Sequence, residues 1–96
     1  MKLSPKASRF VAEAAADLSV AANRQYLLDW LDQSAGRELP RQIATLALDA
    51  LDRFESRLRQ EIEGGVDEDQ AADLSNDIAF IRSVKSDLQK EISRAA

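Results

Sequence analysis

Ninety-six residues, 45% hydrophobic and 31% charged, amount to one small globular domain spanning 1–96. The chain has no cysteine and no histidine, which excludes disulfides, thiolate metal sites and thiol nucleophiles and removes the commonest general base, so neither catalysis nor a resident metal or cofactor is expected. Seventeen acids against thirteen bases give a net charge of −4, the wrong sign for holding nucleic acid by phosphate neutralisation, and another protein, one with a basic surface, is the expected partner.

The first 22 residues start with basic side chains as a secretory signal does, but Glu13 and Asp17 interrupt what would be its apolar region. No apolar run approaches the length of a bilayer crossing. The expectation is a cytoplasmic protein without a membrane partner.

Two places break the chain strongly, Gly36 to Pro40 (GRELP) and Gly64-Gly65, and they divide it into three segments of helical period. No alternating β-branched run and no Asn-Gly or Asp-Gly turn signals a strand. The first segment, about 5–34, can start at Ser4 as an N-cap before Pro5, or at Ser8. At 100° per residue, Val11, Ala14, Ala15, Leu18, Ala21 and Ala22 share one face, with Phe10 and Leu28 at its margin. Small side chains there allow neighbouring helices to come close.

The second segment, about 40–63, is amphipathic along Ile43, Leu46, Ala47, Ala50, Leu51, Phe54, Leu58 and Ile62. Its polar side pairs Asp49 with Arg53 and Glu55 with Arg59 at i,i+4. Gly64-Gly65 suits a helix end, and Asp67 with Gln70 forms a capping-box pattern for the third segment, about 67–94. There Leu74, Ile78, Ile81, Val84, Leu88, Ile92 and Ala95 make a narrow stripe. Together these predict an all-α protein: a three-helix bundle in which helices 2 and 3 form a long antiparallel hairpin and helix 1 packs across it.

Residues 25–32, QYLLDWLD, do not fit one stripe. Relative to Leu18 on a continuous helix, Leu27 lies about 180° away, Leu31 about 140° and Trp30 about 120°. Either the helix bends near Asn23 to Gln25, or the bundle covers this end on two sides, or Tyr26, Leu27, Trp30 and Leu31 form a partner-binding patch. Trp and Tyr dominate many interfaces, and the partner can be a second copy in a homodimer.

From Glu61 to Asp77 seven acids occur with no base among them. Asp67, Glu68 and Asp69 suit the positive end of the third helix. Asp69, Asp73 and Asp77 repeat at i,i+4 as a ladder of like charge, which a solvated face explains, as does an acidic surface of Glu68, Asp69, Asp73 and Asp77 that occupies a basic nucleic-acid groove. The run lacks the glycine and ligand spacing of a calcium loop. Glycine-rich phosphate loops, zinc patterns, serine elbows and dinucleotide fingerprints are absent too. A short acidic helical chain of this kind is similar, in class alone, to adaptor subunits and to small phage- or plasmid-encoded inhibitors of nucleic-acid enzymes.

Overall fold

Ser4 opens the first helix as the Ser-Pro pair predicts: its Oγ accepts a hydrogen bond of 3.1 Å from the Ala7 amide, and Pro5 takes the first helical position. The computed structural model describes residues 1–34 and 36–94. Helix α1 spans Pro5–Ala14 and continues into a 3-10 turn, Ala15–Asp17. Three further helices follow: α2 (Ala21–Gln33), α3 (Arg41–Glu63) and α4 (Glu68–Arg94). All regular structure among the described residues is helical.

The expected first helix is therefore two helices, and the bundle has four α-helices among the described residues rather than three. Leu18 (φ −68, ψ 138) and Val20 (φ −100, ψ 118) are extended, and they separate the 3-10 turn from α2. The cause is burial. On one straight helix Leu18 and Leu27 would point in opposite directions, yet both enter the same core, at 4% and 0% exposure. An extended joint resets the phase between them. The chain is helical through Asn23 to Gln25, so the bend expected there lies several residues earlier. Ala21 and Ala22, expected on the core face, are exposed.

The α3–α4 hairpin forms as the spacing of the stripes predicts. Gly65 (φ 97) takes the left-handed conformation in the connection, and Asp67 accepts a 2.7 Å hydrogen bond from the Gln70 amide at the start of α4. Ile43, Ala44, Ala47, Ala50, Leu51, Phe54 and Leu58 of α3 face Ile78, Ile81, Val84 and Leu88 of α4 and the buried residues of α1 in one cluster. Ile92 packs at its edge; Ala95, the last residue of the predicted stripe, lies outside the described residues.

Phe10 joins α1 to both arms of the hairpin, with its ring 6.4 Å from Phe54 and 5.1 Å from Phe80. Lys6 stands 4.4 Å above the Phe80 ring, which accounts for an aromatic side chain off the centre of the α4 stripe. On the other side of Phe54, Arg57 lies 5.0 Å from the ring and holds Asp17 of the 3-10 turn at 3.1 Å. The N-terminal residues join the bundle through buried Leu3 and a 2.9 Å hydrogen bond from the Leu39 amide to the Met1 carbonyl.

Both expected i,i+4 pairs are present, Arg53 to Asp49 at 3.1 Å and Arg59 to Glu55 at 3.0 Å. Glu55 does more than pair within its helix. Its carboxylate also meets Lys85 at 3.3 Å and Arg82 at 3.7 Å across the hairpin, while Lys85 bridges to Asp52. Burial works to raise the Glu55 carboxyl, but the Arg59 hydrogen bond and the Lys85 charge outweigh it and hold the group below its ordinary value. Burial works in the opposite sense on Lys85, and Asp52 and Glu55 outweigh it to hold the amine above its ordinary value.

A depressed carboxylate stabilises the fold above its unfolded pKa and loses that contribution as pH falls through the folded value. A raised amine contributes below its unfolded pKa and loses the effect as pH rises through the folded value. The network is therefore complete between the two limits. Urea unfolding followed across pH will show the wild-type midpoint falling on acidification below about pH 4. Glu55→Gln will start lower at neutral pH and fall less over the same range; parallel curves would exclude Glu55 as a source of the acid limb.

Candidate functional site

Helix α2 meets the bundle through Leu27, which is fully buried. With Leu27 at the centre of the inward face, Asn23, Tyr26 and Trp30 fall on one flank, and Arg24, Leu28 and Leu31 on the other. Tyr26 and Leu28 are the exposed extremes, at 50% and 38%. They point to opposite sides of the helix.

The four residues considered as a patch do not share one exposed surface. Leu27 is a core residue and offers nothing to a partner, because burying it satisfies the core that the extended joint at Leu18 to Val20 makes accessible. Trp30 and Leu31 are half-buried, pack against the core from either side of Leu27, and share no common outward face. Tyr26 alone of the four is exposed.

What Tyr26 borders is a groove of about 390 Å³ between α2 and the start of α3. Asn23 and Tyr26 line it from α2, and Arg41, Gln42, Thr45 and Leu46 from α3. Its lining surface is mostly apolar, and Tyr26 and Leu46 are its two large apolar residues. Pro40 is the N-cap of α3 and has no capping side-chain oxygen, so the helix begins beside the groove without a side-chain cap. The Thr45 hydroxyl donates a 2.9 Å hydrogen bond to the Arg41 carbonyl and is already engaged.

Arg41 is exposed and makes no ion pair among the described residues. No acidic residue lines the groove among the described residues. Nearby on the same helices, Asp29 accepts a 2.7 Å hydrogen bond from Gln25 and Asp49 is paired with Arg53. The groove thus carries one cation on an apolar floor, within a protein of net charge −4.

The acidic surface lies elsewhere, at the Gly64-Gly65 end of the hairpin. Glu68, Asp69 and Asp73 are exposed, and none of them makes an ion pair among the described residues. Asp77 is half-buried and turns toward α1, where it lines a recess with Arg9, Phe10 and Glu13. The ladder therefore winds from open surface into the contact between two helices, and its last member belongs to that contact. Among the described residues, no three His, Cys, Asp or Glu side chains gather into a metal-holding group.

No known family, curated protein or solved structure matches the chain. Sequence reasoning pointed to Tyr26 but missed the α3 wall of the groove. Its signal was Leu46, which is displaced about 100° from neighbouring Ala47 on the wheel and is too far round to share fully in the core. Among the described residues, no helix is long and apolar enough to cross a membrane.

Proposed function

We propose that this chain is a non-enzymatic binding module that takes hold of another protein through the groove between α2 and α3. The supporting observation is the pairing of exposed Tyr26 with Leu46 in a concave, mostly apolar site bounded by polar side chains. Apolar anchors within a polar rim are the ordinary anatomy of a protein contact, and tyrosine supplies large contact area at low entropy cost.

Site-specific photo-crosslinking in the cells of origin tests this directly. Benzoylphenylalanine at position 26 is expected to trap a second polypeptide, whereas the same probe at Val20, also 50% exposed, is expected to trap none. Equal trapping at both positions, or none at either, sinks the groove as the contact surface. An adduct of twice the chain's 10.6 kDa identifies the partner as a second copy.

A second reading rests on the unpaired carboxylates of Glu68, Asp69 and Asp73: the hairpin end mimics phosphates and occludes a basic nucleic-acid groove. A probe at exposed Ala72 then captures the target, in a manner that weakens steeply with salt because exposed charges are screened within about 8 to 10 Å.

A further inference from the structure

We propose that the α2–α3 groove receives an acidic peptide segment of its partner, with an apolar side chain seated on Tyr26 and Leu46 and a neighbouring carboxylate on Arg41. This rests on the groove being the contact surface and adds the chemistry of what enters it. Charge complementarity carries the choice of partner. Arg41 is the one charged residue lining the groove, is exposed, and has no ion-pair partner among the described residues. Its guanidinium is a fork that binds a carboxylate through two parallel hydrogen bonds.

The rest of the surface reinforces the same preference. An acidic segment is repelled from the unpaired Glu68, Asp69 and Asp73 at the hairpin end and is attracted to the apolar site with a cation at its edge. A basic segment finds the reverse and is drawn to the hairpin end. Electrostatics of this kind set register and exclude wrong partners more than they add affinity.

The groove's shape favours a peptide over a small amphipathic acid. It is an open groove and not an enclosed cavity, whereas a small ligand needs roughly 70 to 90% of its surface covered to be held. A side chain carried on a larger partner needs cover only for itself. Nucleic acid is disfavoured because a single arginine gives little counterion release.

A phage-displayed library of random peptides, selected on the immobilised full chain, reads the preference whatever the partner's identity. Peptides enriched on the wild type are expected to place Asp or Glu beside Leu, Ile, Phe or Trp and to be depleted of Lys and Arg. As free labelled peptides in fluorescence anisotropy, they should bind Arg41→Glu about tenfold more weakly, equivalent to about 1.4 kcal/mol, and selection on Arg41→Glu should reverse the charge preference. Tyr26→Lys and Leu46→Lys should each abolish binding, with circular dichroism confirming that the variants are folded; Tyr26, being exposed, serves where Leu46→Lys unfolds.

Selected peptides that are neutral or basic, or that bind Arg41→Glu undiminished while losing affinity for Tyr26→Lys, overturn the acidic-partner inference and leave the groove as the contact surface. Peptides indifferent to both Tyr26→Lys and a folded Leu46→Lys, or the absence of enrichment over an unrelated helical protein, overturn the groove itself and the acidic segment with it.

Discussion

Leu27→Ala is expected to destabilise the protein by about 2 to 5 kcal/mol, the range for truncating a fully buried leucine that leaves a cavity. Leu27 has 0% exposure and is the one buried residue of α2, so its side chain is the main apolar tie between that helix and the cluster beneath it. Nothing within α2 compensates. The helix spans Ala21–Gln33, lacks a side-chain cap at Val20, and has no acid in its first turn. An isolated helix of that length is marginal in water.

The control is the adjacent residue. Tyr26→Ala removes a larger side chain from a half-exposed position and should cost about 0.5 kcal/mol or less. Urea unfolding followed by circular dichroism measures both. A small effect at 27 with a large one at 26 would invert the assignment of core and surface on this helix.

Ala47→Leu is expected to cost about 2 to 3 kcal/mol, although it exchanges one good helix former for another. Ala44, Ala47 and Ala50 of α3 are all fully buried, as are Ala14 and Ala15 where α1 runs into the 3-10 turn. Alanine at these points lets backbones approach closely. Three added carbon atoms overpack a fully buried position, so a neighbouring helix must shift or the leucine must leave its preferred rotamer. The same change at exposed Ala72 should leave the unfolding midpoint within about 0.5 kcal/mol of wild type. If both substitutions are neutral, the helices are farther apart at Ala47 than its complete burial implies.

The hairpin was legible because each of its features is local. Gly64-Gly65 ends one helix, Asp67 caps the next, and Ile78, Ile81, Val84 and Leu88 recur at spacings of three and four residues; each signal sits within a few residues of what it controls. The break between α1 and α2 was legible only indirectly. Leu18, Ser19 and Val20 include no glycine or proline, and nothing in their local chemistry forbids a helix. The evidence was the conflict of phase between Leu18 and Leu27, resolved by the tertiary demand that both be buried. That demand does not say which residues will yield, so the sequence suggested the polar Asn23 to Gln25.

The candidate site was legible in part for the same reason. Leu27, Trp30 and Leu31 stood out because their angles were measured from Leu18, across a joint that restarts the helix, and Tyr26 was named only as their neighbour. With Leu27 as the reference, Tyr26 and Leu28 are the exposed residues on its two flanks. Arg41, Gln42, Thr45 and Leu46, which line the groove with Tyr26, come from another helix, brought beside it by packing that no local pattern encodes.

The chain's single tyrosine and single tryptophan stand four residues apart on the same flank of α2, close enough to act as a donor and an acceptor of excitation energy. Tyr26 faces the groove and Trp30 leans on the core. The protein thus carries its own optical probe: an occupant of the proposed contact groove is expected to alter the light that Trp30 receives from Tyr26, whereas loss of the core shifts the colour of Trp30 itself. Two optical signals, without any attached dye, separate a change at the groove from a loss of the fold.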